Sequence, residues 1–233
     1  AENISQLALA NVDFDMQNRH HISYNLMMIH ANTQSVGDYN GKNSIFSDDY
    51  ENLGFTRRQQ TNDNMLIVNQ LMTNWGLTKS LSLDAGASYN MVKGYEPDRR
   101  INNLTKAEDG YTLLRGNSQQ RYFSTLDEDD LNVKAGLVYR LKDNIEEISN
   151  VRFGYTGRFV DDNFKATEYN LTVGHVSAIP SLDDFSLDDY YNQENFASDW
   201  FKIQKNLDEY IVKKNIHSAY AEATYQFTPR WIV

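Results

Sequence analysis

The chain has no cysteine, and only three prolines among its 233 residues. Without thiols there is neither a disulfide framework nor a thiolate metal site, while the compartment is left open. Scarce proline beside 15 tyrosines and 11 phenylalanines suits many paired strands better than disorder. Positive charge is also short. Lys and Arg number 22 against 32 Asp and Glu, for a formal net charge of −10, which argues against a nucleic-acid partner because phosphate binding needs a basic face. No apolar run approaches the length of a membrane helix, and the opening AENIS lacks the basic start and apolar core of a secretory signal. Hydrophobic residues make up 40% and the mean hydropathy is −0.63. Membrane strands that alternate in polarity give a similarly low average, so these values exclude only helical spans.

What is present is alternation. In WGLTKSLSLDAGASYNMVKGYEPDRR, residues 75–100, the chain reverses around Thr78, Lys79 and Ser80. Leu81, Leu83, Ala85, Ala87, Tyr89 and Met91 then alternate with Ser82, Asp84, Gly86, Ser88 and Asn90. Period two places one set on each side of an extended strand. The same pattern sets Leu131, Val133, Ala135, Leu137, Tyr139 and Leu141 against Asn132, Lys134, Gly136 and Arg140. Val151, Phe153, Tyr155 and Phe159 oppose Arg152, Gly154, Thr156 and Arg158, and Ala219, Ala221, Ala223, Tyr225 and Phe227 oppose Tyr220, Glu222, Thr224 and Gln226. Residues 7–16, 22–28 and 65–77 read as further strands, although Met27 and Ile29 break the polar side of the second.

Between the strands, short turns alternate with long polar stretches near 32–63, 94–130 and 161–216. Within the last, Trp200, Ile203, Leu207, Tyr210 and Ile211 predict a short amphipathic helix over 199–214. Short turns at one end, long loops at the other and aromatics at strand ends are expected of an all-β, antiparallel up-and-down transmembrane β-barrel. Apolar side chains would then face lipid and polar ones a lumen. The alternative is an antiparallel sandwich, which would place Lys134, Arg140, Arg152 and Arg158 at its middle if the polar face were buried. Residues 1–233 are expected to be one partial barrel domain of about eight strands, because so few cannot close while the last is only a stub at Trp231–Val233.

Three stretches carry a family likeness: GKNSIFSDDYENLGFTRRQQTNDN at 41–64, LSLDAGASYNMVKGYEPDRRINNL at 81–104 and HSAYAEATYQFTPRWIV at 217–233. Together they resemble TonB-dependent outer-membrane receptors of the Bacteroidetes type, in which a carboxypeptidase-regulatory-like domain precedes a plug and a barrel. The resemblance implies an internal segment of a barrel of about 22 strands, set in the Gram-negative outer membrane and importing a scarce nutrient such as a siderophore, cobalamin, a glycan or a peptide. It implies as partners outer-membrane lipid, the plug domain, the remaining strands, the TonB complex and a surface lipoprotein. The plug and the TonB-contacting segment are not visible in the sequence.

Candidate ligand-binding residues lie in the polar stretches. Arg57, Arg58, Arg99 and Arg100 suit a fork for an anionic ligand or salt bridges fixing a loop base. Tyr190, Tyr191, Trp200 and Phe201 can stack on a flat ligand or pack a loop against its neighbours. Asp84, Lys134, Arg140, Arg152, Arg158 and Glu222 are expected to face the lumen and the plug. The acidic runs Asp127–Asp130 and Asp183, Asp184, Asp188 and Asp189 lack EF-hand order, and the five histidines lack metal spacing. No cofactor, metal site or catalytic motif is recognised, so no enzyme is expected. Besides the importer, two functions remain open: a passive porin-like channel and a soluble β-sheet ligand-binding protein.

Overall fold

The computed structural model describes residues 1–16, 19–42, 53–107, 110–114, 116–141, 149–174, 191–198, 201–228 and 231–232. In chain order these give β1 (Glu2–Met16), β2 (His20–Lys42), β3 (Leu53–Gly76), β4 (Leu81–Ala107), β5 (Gly110–Leu113), β6 (Gly116–Arg140), β7 (Asn150–Val173), α1 (Gln193–Ala197) and β8 (Phe201–Thr224). A small hairpin of β9 (Gln226–Thr228) and β10 (Trp231–Ile232) follows. The long strands form one antiparallel meander in the order β1-β2-β3-β4-β6-β7-β8, with β5 paired beside the end of β4.

The register turns each alternating run into a cross-sheet row. Val12, Tyr24, Leu71, Ala87, Val133, Gly157 and His217 stand opposite one another in turn on the apolar face. One residue along, Asn11, Asn25, Gln70, Ser88, Asn132, Arg158 and Ile216 make the matching row of the polar face. Met27 and Ile29, which break the pattern in β2, are matched there: Leu9, Met27 and Val68 form one apolar row, and Leu7, Ile29, Leu66 and Val92 the next. A row of like residues keeps each out of contact with a mismatched neighbour, so the exception is shared across strands.

The expected barrel is overturned, because the sheet does not close. β1 and β8 are its two edges, and neither pairs with another described strand beyond its inner neighbour. Each strand of the meander reverses the last, so β1 and β8 run in the same direction and cannot complete an antiparallel ring together. Alternation fixes which side chains share a face; it carries no information about what lies beyond an edge. With the closed wall go the transmembrane barrel, the likeness to TonB-dependent receptors, the importer and porin functions and the outer-membrane location. The lipid, plug, TonB-complex and lipoprotein partners fall with them. A sandwich is not formed either, since among the described residues no second layer covers the long sheet.

The three expected loops and the helix are also corrected. β2, β3, β4, β6 and β7 run well into the polar stretches, and residues 201–214 belong to β8. Apolar side chains on the broad face stay open to solvent, with Phe153 at 60% and Leu137 at 45% exposure. The buried cluster lies instead at the upper end, where Phe55, Leu104, Leu113, Val173 and Phe201 meet, with Tyr111, Tyr191 and Phe196 packed against them.

Candidate functional site: a cavity at the upper end of the apolar face

The cavity forms where β4, β6, β7 and β8 pass the segment carrying α1, and it holds about 290 Å³. Its base is made of amides. Gln119 is 1% exposed, and its side chain acts as a piece of backbone: Oε1 accepts from the Asn103 amide at 2.9 Å while Nε2 donates to the Asn103 carbonyl at 2.7 Å. This matters because β4 changes partner there, from β6 below to β5 above. A buried amide left open would be costly, and Gln119 closes the ladder across the change.

Beside it, Asn102 is 4% exposed. Its Oδ1 accepts from the Tyr191 hydroxyl at 3.2 Å, whereas its Nδ2 has no hydrogen-bond partner among the described residues. A buried amide donor without an acceptor is a cost that a ligand oxygen would remove. Rings and aliphatic side chains make the walls: Phe123 and Tyr169 meet edge to face at 6.0 Å, and Leu171, Ile203, Tyr191 and Phe196 complete the lining. Phe201 packs at a steep angle behind Tyr191 and Phe196, at 5.4 and 5.3 Å between ring centres.

The charged side is a triad. Asp98 takes Arg100 Nε at 2.6 Å and Arg121 Nη2 at 2.7 Å. Burial opposes ionisation of Asp98, but the two guanidiniums outweigh it and hold the carboxyl below the ordinary aspartate value. Both guanidiniums line the cavity, and Lys205 Nζ lies 5.9 Å from the centre of the Tyr169 ring.

The sequence candidates are divided by the strands. Arg57 and Arg58 are neighbours on β3, so they point to opposite faces, as do Arg99 and Arg100 on β4. Arg57 is held bidentately by Asp38 at 2.8 and 2.9 Å, and that pairing, chiefly its hydrogen bonds, lowers the Asp38 carboxyl. Arg58 donates to Gln60, and Arg99 lies over the Tyr122 ring at 4.1 Å with Glu96 at 3.7 Å. Of the proposed residues, only Arg100 and Tyr191 line the cavity, with Phe201 supporting it; Tyr190 and Trp200 lie outside the described residues.

On the polar face the register places Asp84, Lys134, Arg140, Arg152, Arg158 and Glu222 together. Lys134 pairs with Asp84 at 3.4 Å, Arg152 with Glu222 at 4.0 Å and Arg158 with Asp130 at 2.9 Å. Asn102, Gln119, Arg121, Phe123 and Tyr169 were missed as site residues. They are scattered through polar sequence, and only the β4–β6–β7 register brings them together. Among the described residues no group of acidic, histidine or cysteine side chains is arranged to hold a metal ion. Compared with protein-family models and with curated proteins, the chain matches none.

Proposed function

We propose that the chain is a β-sheet ligand-binding protein, a binder rather than an enzyme, whose upper cavity takes a small carboxylate bearing one flat ring. The buried Asn102 Nδ2, without a hydrogen-bond partner among the described residues and part of a side chain that lines the cavity with Arg100 and Arg121, carries this proposal. Each part of such a ligand has a counterpart. The ring fits between Phe123 and Tyr169 on one side and Tyr191 and Phe196 on the other; the carboxylate meets the Arg100–Arg121 side, and a ring oxygen accepts from Asn102. A volume near 290 Å³ is at the small end for ligand sites, which favours a single substituted ring.

Calorimetric titration at neutral pH with salicylate, its uncharged relative salicyl alcohol and ringless acetate tests it. Salicylate is expected to bind at least about tenfold more tightly than either comparator, the charge-assisted contact and the ring each contributing about 1–2 kcal/mol. Arg121→Gln should remove most of the preference over salicyl alcohol. Equal heats for all three compounds, or a preference untouched by Arg121→Gln, would overturn the assignment.

A further inference from the structure

The outer edge of β8 is the longest unpaired strand edge in the described residues, and nearly every side chain on it is exposed. Such an edge offers a row of unused amides and carbonyls to another strand. Its sequence reads DEYIVKK over residues 208–214, two acids and two bases placed symmetrically about Ile211. We propose that β8 pairs with β8 of a second copy of this chain, antiparallel and in the register that sets Ile211 opposite Ile211.

In that register Asp208 faces Lys214 and Glu209 faces Lys213, and the two-fold repeats both pairs. Odd residues lie on the apolar face and even ones on the polar face, so each face receives its own ion pairs and no like charges meet. Moving the register by two residues loses every one of these pairs: with Val212 at the centre, Lys214 meets Tyr210 and Lys213 meets Ile211. The remaining partners are compatible, with Leu207 opposite Asn215, Ile203 opposite Ala219 and Gln204 opposite Ser218. Lys213 already contacts Asp161 at 3.0 Å, but both side chains are more than half exposed, so the lysine is not committed to it.

The other edge does not share this property. β1 carries Glu2, Asp13 and Asp15 and no basic residue, so it has no charge symmetry to fix a self-pairing. Pairing β1 of one copy with β8 of the next would be heterologous and would propagate without closing. The β8–β8 contact closes as a dimer and joins two sheets into one, independently of the ligand cavity.

Sedimentation equilibrium on the whole chain and two charge reversals is the test. The unaltered chain should be dimeric. Lys213→Glu with Lys214→Glu, and separately Asp208→Lys with Glu209→Lys, should each raise the dimer dissociation constant at least tenfold, because every cross-strand pair becomes repulsive. An equimolar mixture of the two variants should recover a dimer, since all four pairs are again attractive. These side chains are exposed, and unchanged far-ultraviolet circular dichroism confirms that the variants fold. In the cysteine-free chain, Ile211→Cys should also cross-link to a covalent dimer on oxidation, whereas Leu207→Cys should not, because its partner is residue 215. A monomeric unaltered chain, a dimer that survives both reversals or a mixture that fails to associate would each overturn the proposal.

Discussion

Asn102 and Gln119 are the same kind of side chain in adjacent places, with opposite consequences. Gln119 spends both ends of its amide on Asn103, so its replacement should register as lost stability. Gln119→Leu should cost roughly 1–3 kcal/mol, read as a lower midpoint in urea, because the Asn103 amide loses its acceptor. Asn102→Leu removes a donor that nothing among the described residues uses, together with the oxygen that accepts from the Tyr191 hydroxyl, so it should lower ligand affinity and cost some stability as well. Asp98 supplies a pH signature. Its folded pKa lies below the unfolded value, so its contribution is present above roughly pH 4 and is lost as pH falls through the lowered folded value. Asp98→Asn should therefore flatten the loss of thermal stability in that acid window and leave no such difference near neutrality to titrate away. At the other end of the scale, the Tyr89 hydroxyl donates to Asp129 at 2.6 Å, and this bond to the carboxylate raises its pKa above the ordinary tyrosine value. Ultraviolet titration should find one tyrosine returning toward the ordinary value in Asp129→Asn.

At the scale of the element, the chain shows where sequence patterns suffice and where they do not. Residues 131–141 and 151–159 alternate cleanly, and the register pairs Leu131 with Phe159 and Leu137 with Phe153, as a common face requires. The ends of the strands were not legible, because the stretches near 53–64, 95–106 and 116–130 are polar on both sides and leave no contrast for a period to appear in. β8 failed for a different reason. Ile203, Leu207 and Ile211 are spaced by four, which keeps residues on one face of a strand and nearly on one face of a helix. As an edge strand open on both faces it lacks the polar–apolar contrast that would have decided between them. The cavity was legible in only two of its lining residues, Arg100 and Tyr191, because its chemistry comes from strands distant in sequence. A separate device holds β7 to β8: a Cβ on Gly154 would lie 2.4 Å from the Tyr220 ring, which crosses it from the neighbouring strand. Gly154→Ala should expel that ring and cost about 0.5–1 kcal/mol, measured by thermal unfolding.

For the molecule as a whole, stability is unevenly distributed. The broad face is held by ladder bonds and cross-strand contacts, with large apolar side chains exposed, while close packing is confined to the end that carries the cavity. Phe201→Ala should therefore cost about 3–4 kcal/mol, a core-like value, and should weaken ligand binding by loosening Tyr191 and Phe196. Leu137→Asn should change stability much less, since that side chain is already open to solvent. The fold and the proposed function thus meet in one place, the packed upper end. The most direct measurement there is the side-chain amide resonance of Asn102 during titration with salicylate. A saturable shift of that resonance, abolished by Arg121→Gln, is the predicted result. An Asn102 signal unmoved at saturating salicylate would contradict the central claim that this buried donor and its charged neighbours form the ligand site.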